Sequence, residues 1–243
     1  MKNNNASPNR LFGIDVSSFQ KVIDWSGVKQ AGVQFAFIKA SEGITLVDEM
    51  FASNAKSARN FGIPFGAYHF FRPNDDVADQ VNNFCNAVGT LQPGDLPPVL
   101  DVEDDTIWAP YTLSQRITMI TSWMSAVQKR LGVAPMIYTS PSFAKAILGS
   151  SSELNQYLLW IADWITGDEP VVPAPWTVWT FWQNSDSGTV TGIIGGVDLD
   201  LFNGTSADMD KLLVPATTIR ARIHLALAKR FGGFLRWLRP LFA

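Results

Sequence analysis

The feature that most restricts how this chain can fold is a rhythm. From residue 11 onward, short apolar runs alternate with helix-like segments five times. Three further apolar runs follow with almost nothing helical between them. The runs are 11–17, 33–40, 64–71, a fourth ending in Asp101 and Glu103, then 135–139, 158–164, 178–183 and 197–202. Helices are expected over 24–31, 48–61, 75–88, 112–131 and 142–148. Asp24 and Thr112 are placed to cap their starts, and Gly32, Gly62, Gly89 and Gly132 to stop four of them. A small hairpin is expected over 190–196. Alternating strands and helices imply a parallel sheet. Eight strands can close on themselves. The fold class expected is therefore α/β: a TIM-like barrel of five strand–helix units followed by three strands. It would occupy residues 11–213, behind a flexible 1–10 and ahead of a basic amphipathic helical tail, 214–243. In such barrels the functional site lies at the carboxyl ends of the strands.

Composition agrees with one large folded body. Of 243 residues, 47% are hydrophobic and 17% charged, so a sizeable core is available and disorder is not expected. The single cysteine, Cys85, excludes an intrachain disulfide and reads as a small core residue of a helix. With only His69 and His224 and no Cys/His cluster, neither a metal site nor a cofactor is expected. His69 reads as a structural hydrogen bonder in its strand. The first ten residues are polar and lack the apolar stretch of a secretory signal. No run of 18 apolar residues is present to span a membrane.

The chemistry concentrates at strand ends. Asp101 and Glu103, flanking Val102, would point to one face of a strand, roughly 6–7 Å apart at their Cα atoms. Like charges that close push each other's pKa apart, so that one proton tends to be held. A carboxylic acid beside a carboxylate is what glycoside cleavage requires. The bland alternative is a strand that simply ends in solvated acids. The barrel offers a test: strand eight closes against strand one, with strand four across from them. Asp15, Asp101, Glu103, Asp198 and Asp200 would then converge on one pocket. Tyr68, Phe70, Tyr138, Trp160, Trp164, Trp179 and Trp182 gather at the same ends. Flat aromatic faces suit sugar rings, although about half of these are expected to be core filler. Tyr68, Tyr138 and Trp164 are the better candidates for substrate contact.

Five ordered motifs carry a resemblance. They are Gly13-Ile14-Asp15-Val16-Ser17, then Phe37-Ile38-Lys39-Ala40-Ser41-Glu42-Gly43, then Gly66-Ala67-Tyr68-His69-Phe70, then Leu100-Asp101-Val102-Glu103, and last Val197-Asp198-Leu199-Asp200-Leu201-Phe202. Together they resemble glycoside hydrolase family 25, the Chalaropsis-type lysozymes, over roughly residues 11–204. The resemblance implies a barrel of five strand–helix units plus three strands. It also implies hydrolysis of the β-1,4 bond between N-acetylmuramic acid and N-acetylglucosamine, with bacterial peptidoglycan as partner. Glu103 matches the family's general acid, and Asp101 the second carboxylate of the pair. Asp101 either attacks the sugar or steadies an intermediate made by the substrate's own N-acetyl group. Asp15 and Asp198 match the flanking acids that bias the pair's protonation, and Glu42 matches a substrate-binding position. Asp200 receives no role.

Two rivals are a family 18 chitinase-like hydrolase and a non-catalytic wall-binding barrel. The first uses a longer run of acids before its Glu, where Val99 and Leu100 stand here. The second would be marked by loss of the acid, whereas Glu103 is present.

The tail is set apart by charge. Residues 214–243 carry six basic residues and no acid, whereas the rest of the chain, with 13 basic and 22 acidic residues, stands at −9. Arg222, Lys229 and Arg236 recur every seven residues and would stack along one side of a helix, with Ile219, Ile223, Leu227, Phe234, Trp237 and Leu238 broadly opposite. Arg220, Leu225 and Arg230 break the pattern, and Gly232-Gly233 would hinge or break the helix. Such a helix suits an anionic membrane or lipopolysaccharide, here through residues 216–243. The competing expectation is a helix docked on the acidic body. A nucleic-acid partner is not expected. An enzyme made without a signal and acting on the wall fits a phage endolysin, released from the host cytoplasm, or secretion by a non-classical route.

Overall fold

A computed structural model describes residues 10–216 of the chain. The expectations for the first residues and for the basic tail fall outside that range, apart from the tail's opening 214–216. Nine strands form one sheet: β1 (Leu11–Val16), β2 (Phe35–Glu42), β3 (Leu46–Val47), β4 (Phe65–Phe70), β5 (Val99–Asp101), β6 (Met136–Thr139), β7 (Leu159–Ala162), β8 (Phe181–Gly188) and β9 (Val197–Phe202). Their hydrogen-bonded order is β1-β9-β8-β7-β6-β5-β4-β2, and β1 pairs with β2 to close an eight-stranded barrel. β3 lies outside the ring, folded back antiparallel on the end of β2.

The expected helices form, with their ends set by local chemistry. Asp24 accepts from the Ser26 amide ahead of Trp25–Gln30. Asp76 accepts from the amides of Ala78 and Asp79 ahead of Val77–Val88. Thr112 and Gln115 bond reciprocally at the start of Leu113–Leu131, which ends at Gly132 with φ 76. The helix expected over 48–61 is shorter, Phe51–Asn60. The segment 142–148 becomes a single turn, Pro141–Phe143, running into a π turn, Ala144–Leu148. Among the described residues no helix is long and apolar enough to cross a membrane.

Three expectations need correction. The last strand is not parallel to its neighbours: β9 runs antiparallel to both β8 and β1. Residues 189–196 are too short for a crossover and form a turn instead of a hairpin of their own, so β9 must return downward. Asp198 and Asp200 therefore lie near the start of their strand. Being antiparallel, that end still points to the mouth formed by the carboxyl ends of the others. Second, the fourth barrel strand stops at Asp101, so Glu103 belongs to the extended segment just above it. Third, the run 178–183 begins its pairing only at Phe181 and continues to Gly188.

Side-chain alternation divides the molecule into two cores. Within each strand successive side chains alternate between the two, apart from bulges in β2 and β8. Phe35 and Phe37 point into the barrel while Ala36 and Ile38 face the helices. Val99, Met136, Tyr138, Trp160, Phe181 and Phe202 join the interior, and Leu100, Ile137, Ile161 and Trp182 the outer layer. Aromatic rings fill the lower barrel, with Phe37 stacked on Trp160 at 4.1 Å between centroids. Gly13 and Gly66 make room for them. A Cβ on Gly13 would lie 2.4 Å from the Phe35 ring, and one on Gly66 2.8 Å from that of Phe37. The floor is thus a dry aromatic plug, and the polar inward positions stand above it.

Candidate active site

The same alternation aims the acids. Asp15 on β1, Asp101 on β5, and Asp198 and Asp200 on β9 all occupy inward positions, with Asp15 directly opposite Asp198 across the β1–β9 pair. Asp101 is 5% exposed and one of its oxygens, Oδ1, has no hydrogen-bond partner. Burial, and then the negative charge of Glu103, push its carboxyl well above the ordinary carboxylate range. Glu103 is only partly buried. Burial raises it too, Lys39 works against that, and Asp104 and Asp198 add to it. The charge of Asp198 on β9 thus reaches Glu103, just past β5. Two acids so close titrate as a unit, and together they retain a proton above the ordinary carboxylate range.

A second group of acids stands beside the pair. Asp15 is raised well above its ordinary value by burial and then by Asp200 and Asp198, against a hydrogen bond from Gln183. Asp200 is fully buried and sits deeper, level with Gly13. Its Oδ1 accepts from the Trp160 indole at 2.8 Å, and its Oδ2 has no donor.

Cations enter from β2 and from just past β4. A bulge between Lys39 and Ser41 shifts the β2 register by one residue, so that Ser41 pairs outward with His69 and Glu42 pairs inward with Phe70. Phe70 in turn lies opposite Asp101. Glu42 accepts from Lys39 Nζ at 2.6 Å and from Arg72 Nε at 3.0 Å, and both cations lie over the Phe70 ring. Burial would raise the Glu42 carboxyl, but these hydrogen bonds outweigh it and hold it below its ordinary value. Both Glu42 oxygens are thus engaged. A cleft of about 530 Å³ opens beside Glu42 and Arg72, bordered by Ile44 and Tyr111.

The aromatic candidates separate. Tyr68 and Tyr138 are inward, each edge-on to Trp160. Trp164, just past β7, is 56% exposed at the mouth. Trp179 and Trp182 belong to the outer layer, their indoles bonded to Glu169 and to the Asp163 carbonyl. Trp160 is core. His69 is buried against Trp123, between the Ser41 hydroxyl at 2.8 Å and Gln80 Oε1 at 3.2 Å. Gln80 Oε1 can only accept, so His69 donates from Nε2. Burial lowers its pKa to about 4, leaving it neutral. Sequence reading missed Lys39, Arg72 and Gln183. Lys39 at least follows the inward parity of Phe35 and Phe37.

Sugars are what a mouth of paired acids beneath exposed aromatic faces is suited to take, and the chain is a glycoside hydrolase. Residues 14–193 match the model of Glycosyl hydrolases family 25, and the chain belongs to that family. It is 40% identical over 202 residues to Lysozyme M1 of Streptomyces globisporus, covering 80% of this chain and 68% of that protein. It is 30% identical over 212 residues to the N,O-diacetylmuramidase of Chalaropsis sp, covering 82% and 97%. The crystal structure of the bacterial lysozyme from Streptomyces coelicolor superposes with a TM-score of 0.80 at 37% identity, over 84% of this chain and 96% of that one.

Proposed function

We propose that the chain is an N-acetylmuramidase that hydrolyses the β-1,4 bond between N-acetylmuramic acid and N-acetylglucosamine in peptidoglycan. The relatives named above are a lysozyme and a muramidase, and the observation that carries the reading is the pairing of buried Asp101 with partly buried Glu103 at the barrel mouth. Glu103, the more accessible of the two, gives the pair's proton to the leaving oxygen and then takes one from water. Asp101 acts from below on the sugar carbon or on the substrate's N-acetyl group. Asp15 and Asp198 set the field around them. Tyr68, Tyr138 and Trp164 form the wall against which sugar rings lie. Glu42 serves the substrate through the two cations it holds. The test is clearance of purified wall by the protein, followed by mass analysis of the fragments. Products ending in reducing N-acetylmuramic acid are expected. Reducing-end N-acetylglucosamine, or cleavage of chitin alone, would refute the reading.

For the tail the proposal is separate and rests on its charge and apolar pattern. Residues 216–243 bind an anionic membrane or lipopolysaccharide and bring the enzyme to an envelope. Truncation after Pro215 should leave cleavage of purified wall intact and abolish binding to anionic vesicles. Vesicle binding that survives truncation would refute it.

A further inference from the structure

We infer that Gln183 is a positioning residue that locks the aromatic wall to the flanking acids and fixes which atom of Asp15 is free of a proton. Its side chain is buried on β8, at an inward position opposite Asp200 on β9. Three groups from three other parts of the barrel meet on it. Oε1 receives the Tyr138 hydroxyl from β6 at 3.1 Å and the Trp164 indole from beyond β7 at 3.0 Å. Nε2 donates to Asp15 Oδ2 on β1 at 2.7 Å.

The orientation of this amide follows from chemistry. An indole N–H is a donor only, so the atom it meets must be the amide oxygen. The amide nitrogen then faces Asp15, and Asp15 Oδ2 must accept. The protons retained by Asp15, Asp198 and Asp200 are therefore kept off that oxygen. The same amide holds Trp164, otherwise an exposed side chain, in one orientation. One neutral side chain thus couples the surface proposed to bind sugar to the acids proposed to bias the catalytic pair. Only a carboxamide supplies, at every pH, an acceptor for two donors and, on the same planar group, a donor for a carboxylate, and asparagine has a shorter reach.

The inference rests on the muramidase reading for its kinetic consequences, but it has a readout of its own. Gln183→Glu replaces the donating nitrogen with an oxygen. That oxygen can serve Asp15 only while it is protonated. The titratable groups facing position 183 are Asp15 from β1, Asp198 and Asp200 from β9, and Tyr138 from β6, with Asp163 just past β7. Gln183→Leu removes every bond at once. Rates on soluble glycan strands, and melting temperatures, should be measured against pH for the native protein and both variants. Gln183→Glu should approach the native rate at acidic pH and fall increasingly below it as pH rises. Gln183→Leu should lose about tenfold or more at every pH, through a higher KM as Trp164 loosens and a lower kcat as Asp15 loses its donor. The melting temperature of Gln183→Glu should track the same pH dependence, whether or not the substrate has been rightly chosen. A residue that merely fills space would show parallel losses at all pH values in both variants, and that result would overturn the inference. So would a Gln183→Leu protein of native rate. If Gln183→Leu does not fold, the pH dependence of Gln183→Glu decides alone. A native protein inactive on wall, with the melting pattern as expected, would instead refute the muramidase reading and leave the coupling in place.

Discussion

Two groups of acids share this barrel mouth and are handled differently. Asp101 and Glu103 have cations within their field, since Lys39 and Arg72 both lower Asp101 and Glu103 against the burial that raises them. Asp15 and Asp200 are served by neutral donors, the Gln183 amide and the Trp160 indole. A nearby cation favours the charged form of an acid even without a hydrogen bond to it. A neutral donor satisfies one oxygen and leaves the other to find its own proton. The first arrangement keeps a pair poised to exchange a proton. The second keeps a cluster of raised acids compact. On the proposed mechanism the working acid belongs to the first group and the supporting acids to the second.

The largest expected effect is at the working acid. Glu103→Gln keeps shape and hydrogen bonding but has no transferable proton, so cleavage of wall should fall about 10²–10⁴-fold with the melting temperature preserved. Asp101→Asn should be comparably severe. If Glu103→Gln retained the native rate while Asp15→Asn did not, the two groups would have to exchange roles.

A smaller effect is expected where the cations act. Lys39→Met keeps most of the stem that lies over Phe70 and removes the charge. Lys39 lowers both members of the pair, so its loss should raise both. The two limbs of the pH–rate profile should then move together toward higher pH. At the native optimum the loss should be about fivefold, equivalent to one charge interaction of about 1 kcal/mol. An unchanged profile would mean that the negative charge of Glu42 already cancels the charge of Lys39, and the contrast between the two groups would lose its basis.

How much of this could be seen beforehand depends on which signal each residue carries. The strand–helix units were legible because each has its own periodicity and punctuation, as at Asp24, Thr112 and Gly132. The inward acids were legible because parity within a strand is fixed. The direction of β9 was partly written in the chain, since eight residues between β8 and β9 allow only a hairpin-like return. Glu42 needed knowledge of the bulge at Lys39/Ser41, which no local pattern announces. Gln183 was invisible because its meaning lies in Tyr138, Trp164 and Asp15, which are 45, 19 and 168 residues away. Trp179 and Trp182 could not be sorted from the sequence, because aromatic residues at strand ends look alike whether they face the barrel interior or the helices.

The smallest effect on catalysis is expected at Asp200, where the contrast is sharpest. In the fold it is fully buried, with an indole on one oxygen and nothing but Asp15 near enough to engage the other. Burial, with the charge of Asp198 adding to it, raises its pKa well above the ordinary 3.8. The folded protein therefore binds a proton here that the unfolded chain has released. Wherever the native state binds more protons, stability falls as pH rises. The contribution is fully present below about 3.8 and is lost as pH climbs through the folded value. Asp200→Asn copies the protonated side chain: its oxygen can still accept from Trp160, and its nitrogen can donate toward Asp15. Activity should stay within about twofold of native, because Asp200 is fully buried and its neutral form is preserved. The melting temperature should match the native protein near pH 4 and exceed it increasingly toward pH 8, by about 2–4 °C for each 1 kcal/mol of relieved cost. A melting difference that does not change with pH would show that Asp200 is ionised in the fold. The supporting acids would then need a cation of their own, and the division between the two groups would fail.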